Sequence, residues 1–307
     1  LIPLSLHVLK KFVFFSDQNQ LSSFSEVSNL WLTLFERVIK NGTYSDAHML
    51  NVQYRMHPYI SAFPRKRFYN NLLSDGLTVE ARTKEGIAKP LLLWDTEGKA
   101  PESTVRNHQK QRGIQRFQKS AGYYYQNTGE AMRVLEVLRT LVLEKNVPKD
   151  EIGVITPYRA QRDVLSEWIQ GDELLNPHNE EIEQEVDKDD IFSDGKNITV
   201  NKVSGMMIAS IDAFQGREKD FIVFSCVRSN EQGTVGFVRD QRRMNVALTR
   251  ARYGLVLVGD FQCLKKGDDN WNDYLTSLEE QDFIHRGDKF YYLFIFIYLF
   301  FYSLPMQ

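Results

Sequence analysis

Residues 210–227, SIDAFQGREKDFIVFSCV, decide the fold of this chain. The run from Phe221 to Val227 is apolar apart from Ser225, which is typical of a strand buried on both faces of a parallel sheet. Polar residues 215–220 come directly before it, so the sequence predicts a polar loop between two core strands. Loops on rigid scaffolds often bind ligands, but a plain solvated turn also needs a glycine and charges. The stretch alone leaves both explanations open.

Strand and helix patterns alternate along the rest of the chain. Four further apolar runs are typical of strands: PLLLWD at 90–95, IGVIT at 152–156, MMIASID at 206–212 and YGLVLVG at 253–259. Helical spacing of apolar residues covers 28–40, the segment from Thr128 to 145, 163–169 and 241–252. This alternation predicts an α/β fold with an open, mostly parallel sheet of five or more strands flanked by helices.

Composition limits the classes of function. The 307 residues are 42% hydrophobic and 25% charged, as in a soluble globular protein, and the net charge of -2 gives no global basic field. Nucleic acid would therefore have to bind in a local groove. The two cysteines, Cys226 and Cys263, show neither the spacing of a metal site nor a disulfide framework, which suits a reducing compartment.

Residues 171–197 differ from the rest because they hold ten acids and two lysines. A cluster of carboxylates can bind a hard cation, and Asp187, Asp189, Asp190 and Asp194 are the candidates. Their spacing lacks the arrangement of a calcium loop and the closing glutamate. We therefore expect no metal site, and we expect this segment to be a solvated acidic insertion, an elongated surface loop that lies away from the motifs.

The two ends of the chain are unusual. The first residue is Leu1, and the opening segment does not have the pattern of a secretory signal, so the chain is expected to begin within a longer protein. Residues 290–304 are almost wholly apolar but shorter than the roughly 20 residues of a membrane span. A buried terminal segment or a mispredicted exon boundary is favoured over a membrane anchor for this apolar tail.

Four segments carry polar residues that suggest chemistry: SDQNQL at 16–21, QYRMHP at 53–58, ITPYRAQ at 155–161 taken with 210–220, and RRMNVALTRAR at 242–252. Each has an ordinary structural explanation on its own, such as a surface arginine for Arg55 or a core aromatic for Tyr54. In this order, and in an α/β context, they resemble the second motor domain of superfamily-1 helicases of the Upf and senataxin group. The similarity runs from residue 1 to about 287 and is greatest to the nonsense-mediated mRNA decay branch.

This resemblance implies an ATP site between two RecA-like domains. The second domain contributes cations, because charge builds on the phosphoryl oxygens in the transition state and a guanidinium is always charged. Arg250 is then the arginine finger and Arg55 its companion on the same phosphate. Tyr54 packs against the adenine, and Gln20 is the γ-phosphate sensor. The ATP-binding loop consists of Gln215, Gly216 and Glu218, whose carboxylate accepts hydrogen bonds from the ribose.

The resemblance also implies a nucleic-acid surface at the carboxyl ends of the parallel strands, where open α/β sheets bind ligands. The residues expected to contact the sugar-phosphate backbone are Thr156, Pro157, Tyr158, Ser210 and Asp212. Backbone contact with little base readout suits a motor that moves along any sequence. Tyr158 has a second explanation as a packing residue at the end of a strand.

The expected domain organisation follows the same resemblance. Residues 1–22 end a first RecA-like domain, 23–50 form a connecting helix, 51–287 form the second RecA-like domain with the insertion at 171–197, and 288–307 are the apolar tail. No GxxxxGK(S/T) loop occurs and no DEA-type acid pair precedes SDQNQL, so ATP with Mg²⁺ is expected to need a first motor domain in cis. Ser16 and Ser22-Ser23 stand where the family has glycine and Gly-Pro.

The function expected from the resemblance is that of the C-terminal motor half of an ATP-dependent helicase. It would translocate 5′ to 3′ on single-stranded RNA, or DNA, in nonsense-mediated decay or related RNA surveillance, in the cytoplasm and in the nucleus, with decay factors as partners. The chain by itself is expected to be inactive. The alternative is a non-enzymatic module, derived from such a helicase, that binds nucleic acid or protein.

Overall fold

The structure is a computed structural model that describes residues 13, 15–21, 33–42, 48–87, 89–105, 124–191 and 197–287. Parts of every predicted segment lie outside these residues: 1–12, 14 and 22 of the end of the first domain, 23–32 and 43–47 of the connecting segment, 88, 106–123 and 192–196 of the second domain with its insertion, and the apolar tail. None of the helices within the described ranges has the length and apolar character that a bilayer span requires.

Eight strands form the central sheet. In chain order they are β3 (Leu91–Asp95), β6 (Ile152–Thr156), β7 (Glu183–Ile191), β8 (Asn197–Val203), β9 (Met206–Ser210), β10 (Lys219–Ser225), β11 (Ala251–Gly259) and β12 (Ile284–Arg286). Their spatial order is β12-β3-β11-β10-β6-β9-β8-β7, and the six strands from β12 to β9 are parallel. The predicted α/β fold with a mostly parallel sheet is therefore confirmed.

Two small sheets and seven helices accompany the central sheet in the described part of the chain. The small sheets pair β1 (Val52–Gln53) with β2 (Ser74–Asp75) and β4 (Ser103–Thr104) with β5 (Tyr125–Gln126). The helices are α1 (Leu34–Lys40), α2 (Pro58–Phe68), α3 (Thr128–Arg139), α4 (Arg159–Gln170), α5 (Gln241–Leu248), α6 (Phe261–Gly267) and α7 (Asp269–Glu279). α3 continues into a π-helical turn at Thr140–Glu144.

Side chains alternate between the two faces of the sheet, and each face has its own apolar core. Leu91 and Leu93 of β3 pack in a core with α2, α5, α6 and α7, whereas Leu92 and Trp94 pack in a second core with α3 and α4. Strands that are buried on both faces need continuous apolar sequence, which is why the strand runs could be recognised. Helices therefore cover both faces of the sheet, and the two ends of its parallel strands remain for ligands. We call the side with the carboxyl ends of these strands the carboxyl edge and the side with their amino ends the amino edge.

The acidic segment does not form the expected surface loop. β7 and β8 pair as an antiparallel hairpin, and β8 continues the sheet by pairing antiparallel with β9. The hairpin also touches a motif, because Arg217 forms an ion pair with Glu185 of β7 at 3.1 Å. The expectation of a loop remote from the motifs was wrong because the charged residues of β7 pair with β8, which itself pairs with β9 and so joins the hairpin to the sheet.

Residues 211–218 form the crossing segment, which runs across the sheet from the carboxyl edge to the amino edge. Ser210 ends β9 at the carboxyl edge, and Glu218 lies at the amino edge, next to the start of β10. A 3-10 turn at Asp212–Phe214 lies between them, and the ring of Phe214 lies over Gly153 in β6. The ring fits there only because residue 153 is glycine. A Cβ atom at residue 153 would lie 2.5 Å from Phe214 Cζ and would clash with the ring.

We predict that Gly153→Ala destabilises the domain by about 1–3 kcal/mol, because the added methyl group overpacks the contact with Phe214. Urea denaturation followed by circular dichroism measures the change. Gly171→Ala is the matched control, because its new Cβ atom would meet only the Glu167 carbonyl oxygen at 3.6 Å. Equal stability of the two variants would contradict this account of the crossing segment.

Candidate nucleotide and nucleic-acid site

The two sets of predicted site residues lie on opposite edges of the sheet. Glu218 and Arg250 precede β10 and β11, so both lie at the amino edge, where Lys219 N donates to the Arg250 carbonyl oxygen at 3.1 Å. Thr156 and Ser210 end the paired strands β6 and β9 at the carboxyl edge. The sheet therefore separates the residues expected at ATP from those expected at nucleic acid.

Arg250 is a buried cation whose guanidinium donates to three neighbouring oxygen atoms. Only 1% of its surface is exposed, and its Nε donates to the Val246 carbonyl oxygen at 3.1 Å. Its Nη2 donates to Thr249 Oγ1 at 2.8 Å and to Gln20 Oε1 at 3.2 Å. Burial and the nearby charge of Arg55 lower the pKa of Arg250 to about 10, so the guanidinium remains charged at neutral pH.

Arg55 reaches the same place from the loop after β1. Its Nη1 donates to the Thr249 carbonyl oxygen at 3.2 Å, and its Nε donates to Glu218 Oε2 in a close ion pair. Burial raises the pKa of Glu218, but the ion pair with Arg55 outweighs this and the net shift is downward. Arg252 is the other cation near this carboxylate, with Nη1 at 4.0 Å from Glu218 Oε1.

Tyr54 presents an exposed aromatic ring beside this cluster. The residue is 64% exposed, and its backbone carbonyl oxygen accepts a hydrogen bond from Arg82 at 2.7 Å. The ring rests on Gly76, where any Cβ atom would lie 2.2 Å from Tyr54 Cε1. An aromatic face that is exposed and supported from below can stack on a flat ligand.

Gln215 and Gly216 form a tight turn. Gln215 has φ -58° and ψ 135°, Gly216 has φ +76°, and Arg217 N donates to the Phe214 carbonyl oxygen at 3.0 Å. These are the angles of a type II turn, which needs glycine at its third residue. The Gln215 side chain donates to the Leu21 carbonyl oxygen at 2.8 Å, so this turn holds the segment that carries Gln20.

Most of the predicted nucleic-acid residues are enclosed at the carboxyl edge. Thr156, Pro157, Tyr158 and Ser210 are buried, and Thr156 Oγ1 has no hydrogen-bond partner among the described residues. The Tyr158 hydroxyl donates to the Val235 carbonyl oxygen at 3.3 Å, within a group of aromatic rings. The packing alternative thus describes Tyr158 in this structure, and its contact with nucleic acid stays a prediction.

Asp212 differs from these because it is partly exposed and already paired. Arg243 of α5 donates to both of its carboxylate oxygens, at 2.9 and 3.0 Å. A bidentate pair of this kind fixes the carboxylate in one orientation. The pair also joins α5 to the start of the crossing segment, so the position of the crossing segment depends on α5.

Comparison with known proteins agrees with this geometry. A profile of the AAA domain family matches residues 30–262, which is more than half of the chain. The chain belongs to the superfamily-1 helicases of the Upf group. Relatives named "Putative ATP-dependent RNA helicase ECM32" and "ATP-dependent helicase NAM7", both from Saccharomyces cerevisiae, are 45% and 35% identical over 92% and 83% of this chain. "Regulator of nonsense transcripts 1 homolog" of Arabidopsis thaliana is 36% identical over 94% of it. The chain spans 25%, 23% and 20% of the length of these three relatives.

Sequence reasoning missed a buried ion pair at the carboxyl edge of this helicase domain. Arg228 is 4% exposed and donates to both oxygens of Glu102, at 2.7 and 3.1 Å, while its guanidinium lies 4.1 Å from the ring centre of Tyr125. Burial lowers the pKa of Arg228, but its bonds to Glu102 and Tyr158 outweigh this and raise it. Polar residues at 228–230 directly after a buried strand were the available signal.

A strained turn precedes Arg228. Val227 has φ +72°, and Arg228 N donates to the Cys226 carbonyl oxygen at 2.9 Å, which together define a γ-turn of the rare, strained hand. Glu130 Oε2 accepts from Val227 N at 2.8 Å, and Asn127 Nδ2 donates to the Val227 carbonyl oxygen at 3.1 Å. A β-branched residue remains in this conformation only where its surroundings hold it, and here the start of α3 does so.

Glu130 is fully buried, and burial raises its pKa to about 8 although Ser225 and Val227 N donate to it. Because the folded pKa is above the unfolded value, the stability that this shift provides is complete below about pH 4.5 and is lost as the pH rises through about 8. We predict that wild type loses stability relative to Glu130→Gln in that window, by up to about 1.4 kcal/mol per pH unit.

Urea denaturation at pH 5 to 8.5 measures this difference. Glu144→Gln is the matched control, because residue 144 is exposed at the end of the π-helical turn that continues α3. Its profile should run parallel to that of wild type. A profile of Glu130→Gln that also stays parallel to wild type would show that residue 130 does not titrate in the folded protein.

Proposed function

We propose that this chain is the second motor domain of an ATP-dependent RNA helicase that moves 5′ to 3′ along single-stranded RNA. The observation that carries the proposal is that Arg55, Glu218 and Arg250 meet at one edge of the sheet although they are far apart in the sequence. The names of the similar yeast and plant proteins support the activity and a role in nonsense-mediated decay or related RNA surveillance. We propose the cytoplasm as its location.

The amino edge suits a triphosphate better than a metal ion. Arg55 and Arg250 supply cations there, and the carboxylate of Glu218 is already paired. Within the described ranges, His, Cys, Asp and Glu form no group of three or more that could hold a metal. We therefore assign Mg²⁺ binding to a first motor domain that this domain would face across the nucleotide, and we assign no step to the ion here.

The contacts of each residue support a role. Arg250 has its guanidinium fixed by Thr249 and Gln20, so little reorganisation is needed when charge develops on a phosphoryl oxygen. Arg55 would exchange its partner Glu218 for the same phosphate, and Arg252 remains within reach of the released carboxylate. Glu218 could then accept the ribose hydroxyls, and Tyr54 would stack on the adenine.

The carboxyl edge would meet the RNA backbone. Asp212 and the loop that holds Thr156 to Tyr158 lie there, and the buried ion pair of Arg228 and Glu102 stiffens the neighbouring segment. The crossing segment 211–218 physically joins this edge to Glu218 at the nucleotide. We propose that closure on ATP is transmitted to the RNA through this segment, as expected for domains that open and close around a ligand.

The test of the function is the ATPase of a protein that carries this chain together with a first motor domain. We predict that poly(U) stimulates its ATP hydrolysis, because RNA binding and nucleotide binding share the crossing segment. A coupled ATPase assay with and without poly(U) measures this. A rate that does not respond to added poly(U), or to single-stranded DNA, would overturn the proposed function.

In the same protein we predict that Arg250→Ala lowers kcat for ATP about 1,000-fold or more while binding of poly(U) stays close to that of wild type. The charge is lost where the transition state needs it, whereas the RNA edge is untouched. Arg239→Ala is the matched control, because this arginine is on the protein surface and its nearest carboxylate is 3.9 Å away. Normal turnover by Arg250→Ala would contradict the assignment.

A further inference from the structure

Tyr69 is a partly buried phenol that none of the proposed roles uses. It follows directly after α2, and its hydroxyl donates to Asp17 Oδ2 at 2.6 Å. The same hydroxyl accepts from Asn245 Nδ2 at 3.0 Å. Burial and the bond to Asp17 raise the pKa of Tyr69 to about 12, so the phenol keeps its proton at neutral pH and remains a donor.

Asp17 connects Tyr69 to Gln20 through hydrogen bonds. Its Oδ1 accepts from Asn19 N at 2.9 Å, and its Oδ2 accepts from Gln20 Nε2 at 2.8 Å. Because the amide nitrogen of Gln20 is bound to the carboxylate, its oxygen is the end that faces Arg250, at 3.2 Å. A side-chain amide presents either a donor or an acceptor, and only the acceptor end can bind a guanidinium.

Asn245 attaches the same segment to the helix that leads to Arg250. Its side chain is fully buried in α5, and its Nδ2 also donates to the Asn19 carbonyl oxygen at 2.8 Å. Thr249 caps that helix, and its Oγ1 donates to the Asn245 carbonyl oxygen at 2.6 Å and accepts from Arg250 Nη2 at 2.8 Å. α5 therefore binds the segment that carries Gln20 through Asn245, one helical turn before the end of the helix, where Thr249 binds the Arg250 guanidinium.

We propose that Tyr69 is a positioning residue that fixes residues 17–20 on α5, so that the Gln20 oxygen and the Arg250 guanidinium meet in one geometry. The inference rests on the proposed function, because it deepens the account of the nucleotide site. Tyr69 itself does not touch the nucleotide. It acts through Asp17, which orients the amide of Gln20.

The first experiment measures ATP hydrolysis in the protein that carries this chain with a first motor domain. Tyr69→Phe keeps the ring and removes only the hydroxyl. We expect kcat to fall about tenfold, the effect of losing one buried hydrogen bond to a charged group, while KM for ATP and the affinity for poly(U) stay unchanged. Tyr59→Phe is the matched control, because this tyrosine lies on α2, the helix that Tyr69 follows, but is 50% exposed.

A double-mutant cycle with Gln20→Ala separates positioning from general destabilisation. If Tyr69 acts through Gln20, adding Tyr69→Phe to Gln20→Ala costs little further activity, because the two residues belong to one network. Fully additive losses, or an unchanged kcat in Tyr69→Phe, would overturn the proposal. A larger KM with an unchanged kcat would also overturn it, since that result describes a contact with bound ATP.

The second experiment uses this chain as it is. Hydrogen exchange should become faster in a peptide that covers residues 17–21 when Tyr69 is changed to Phe, and should stay unchanged in α5. Asp17→Ala should have the same effect on this peptide without altering α2. Unchanged exchange in both variants would overturn the proposal. Because this measurement needs no ATPase, failure of the proposed function and failure of this inference are distinguishable.

Discussion

A full charge is held out of water at Arg250, and the arrangement of the amino edge follows from how that charge is accommodated. A buried guanidinium is costly unless each of its donors has a partner. Val246 accepts from its Nε, and Thr249 and Gln20 accept from its Nη2; Gln20 comes from a segment 230 residues away in the chain. The same hydrogen bonds that make burial tolerable also leave the cation preorganised for an anionic ligand.

The parallel sheet makes the two edges chemically different and the segment 211–218 joins them. In a parallel sheet all carboxyl ends lie at one edge, so Ser210 and Glu218 can lie on opposite edges only if the chain crosses a face between them. Gly153 leaves room for this crossing, and the type II turn at Gly216 redirects the chain at its end. The crossing is thus rigid, which suits a segment that must transmit displacement between two ligand sites.

The sequence allowed the parallel core to be predicted because its strands are local apolar patterns, whereas the site residues were assigned from the family resemblance and their roles stay predictions. The strand predicted at residues 152–156 has the bounds found for β6, since a continuous apolar run needs no partner to be recognised. The hairpin of β7 and β8 was missed because the charged residues of β7 are held by pairing with β8, and β8 by pairing with β9, which composition does not reveal. The ion pair of Arg228 with Glu102 likewise joins residues 126 positions apart.

The polar groups of the carboxyl edge are held more firmly than those of the amino edge. This difference indicates which edge can rearrange when a ligand binds. At the carboxyl edge the strained turn at Val227 is held from both sides by Asn127 and Glu130, and Glu130 is itself costly to bury in its charged form. At the amino edge Arg55 and Glu218 are partly exposed, and Arg252 offers the carboxylate a second partner. An exposed ion pair contributes little to stability, so it can exchange partners at small cost. We infer that nucleotide binding rearranges the amino edge, and that the carboxyl edge responds as a preformed unit.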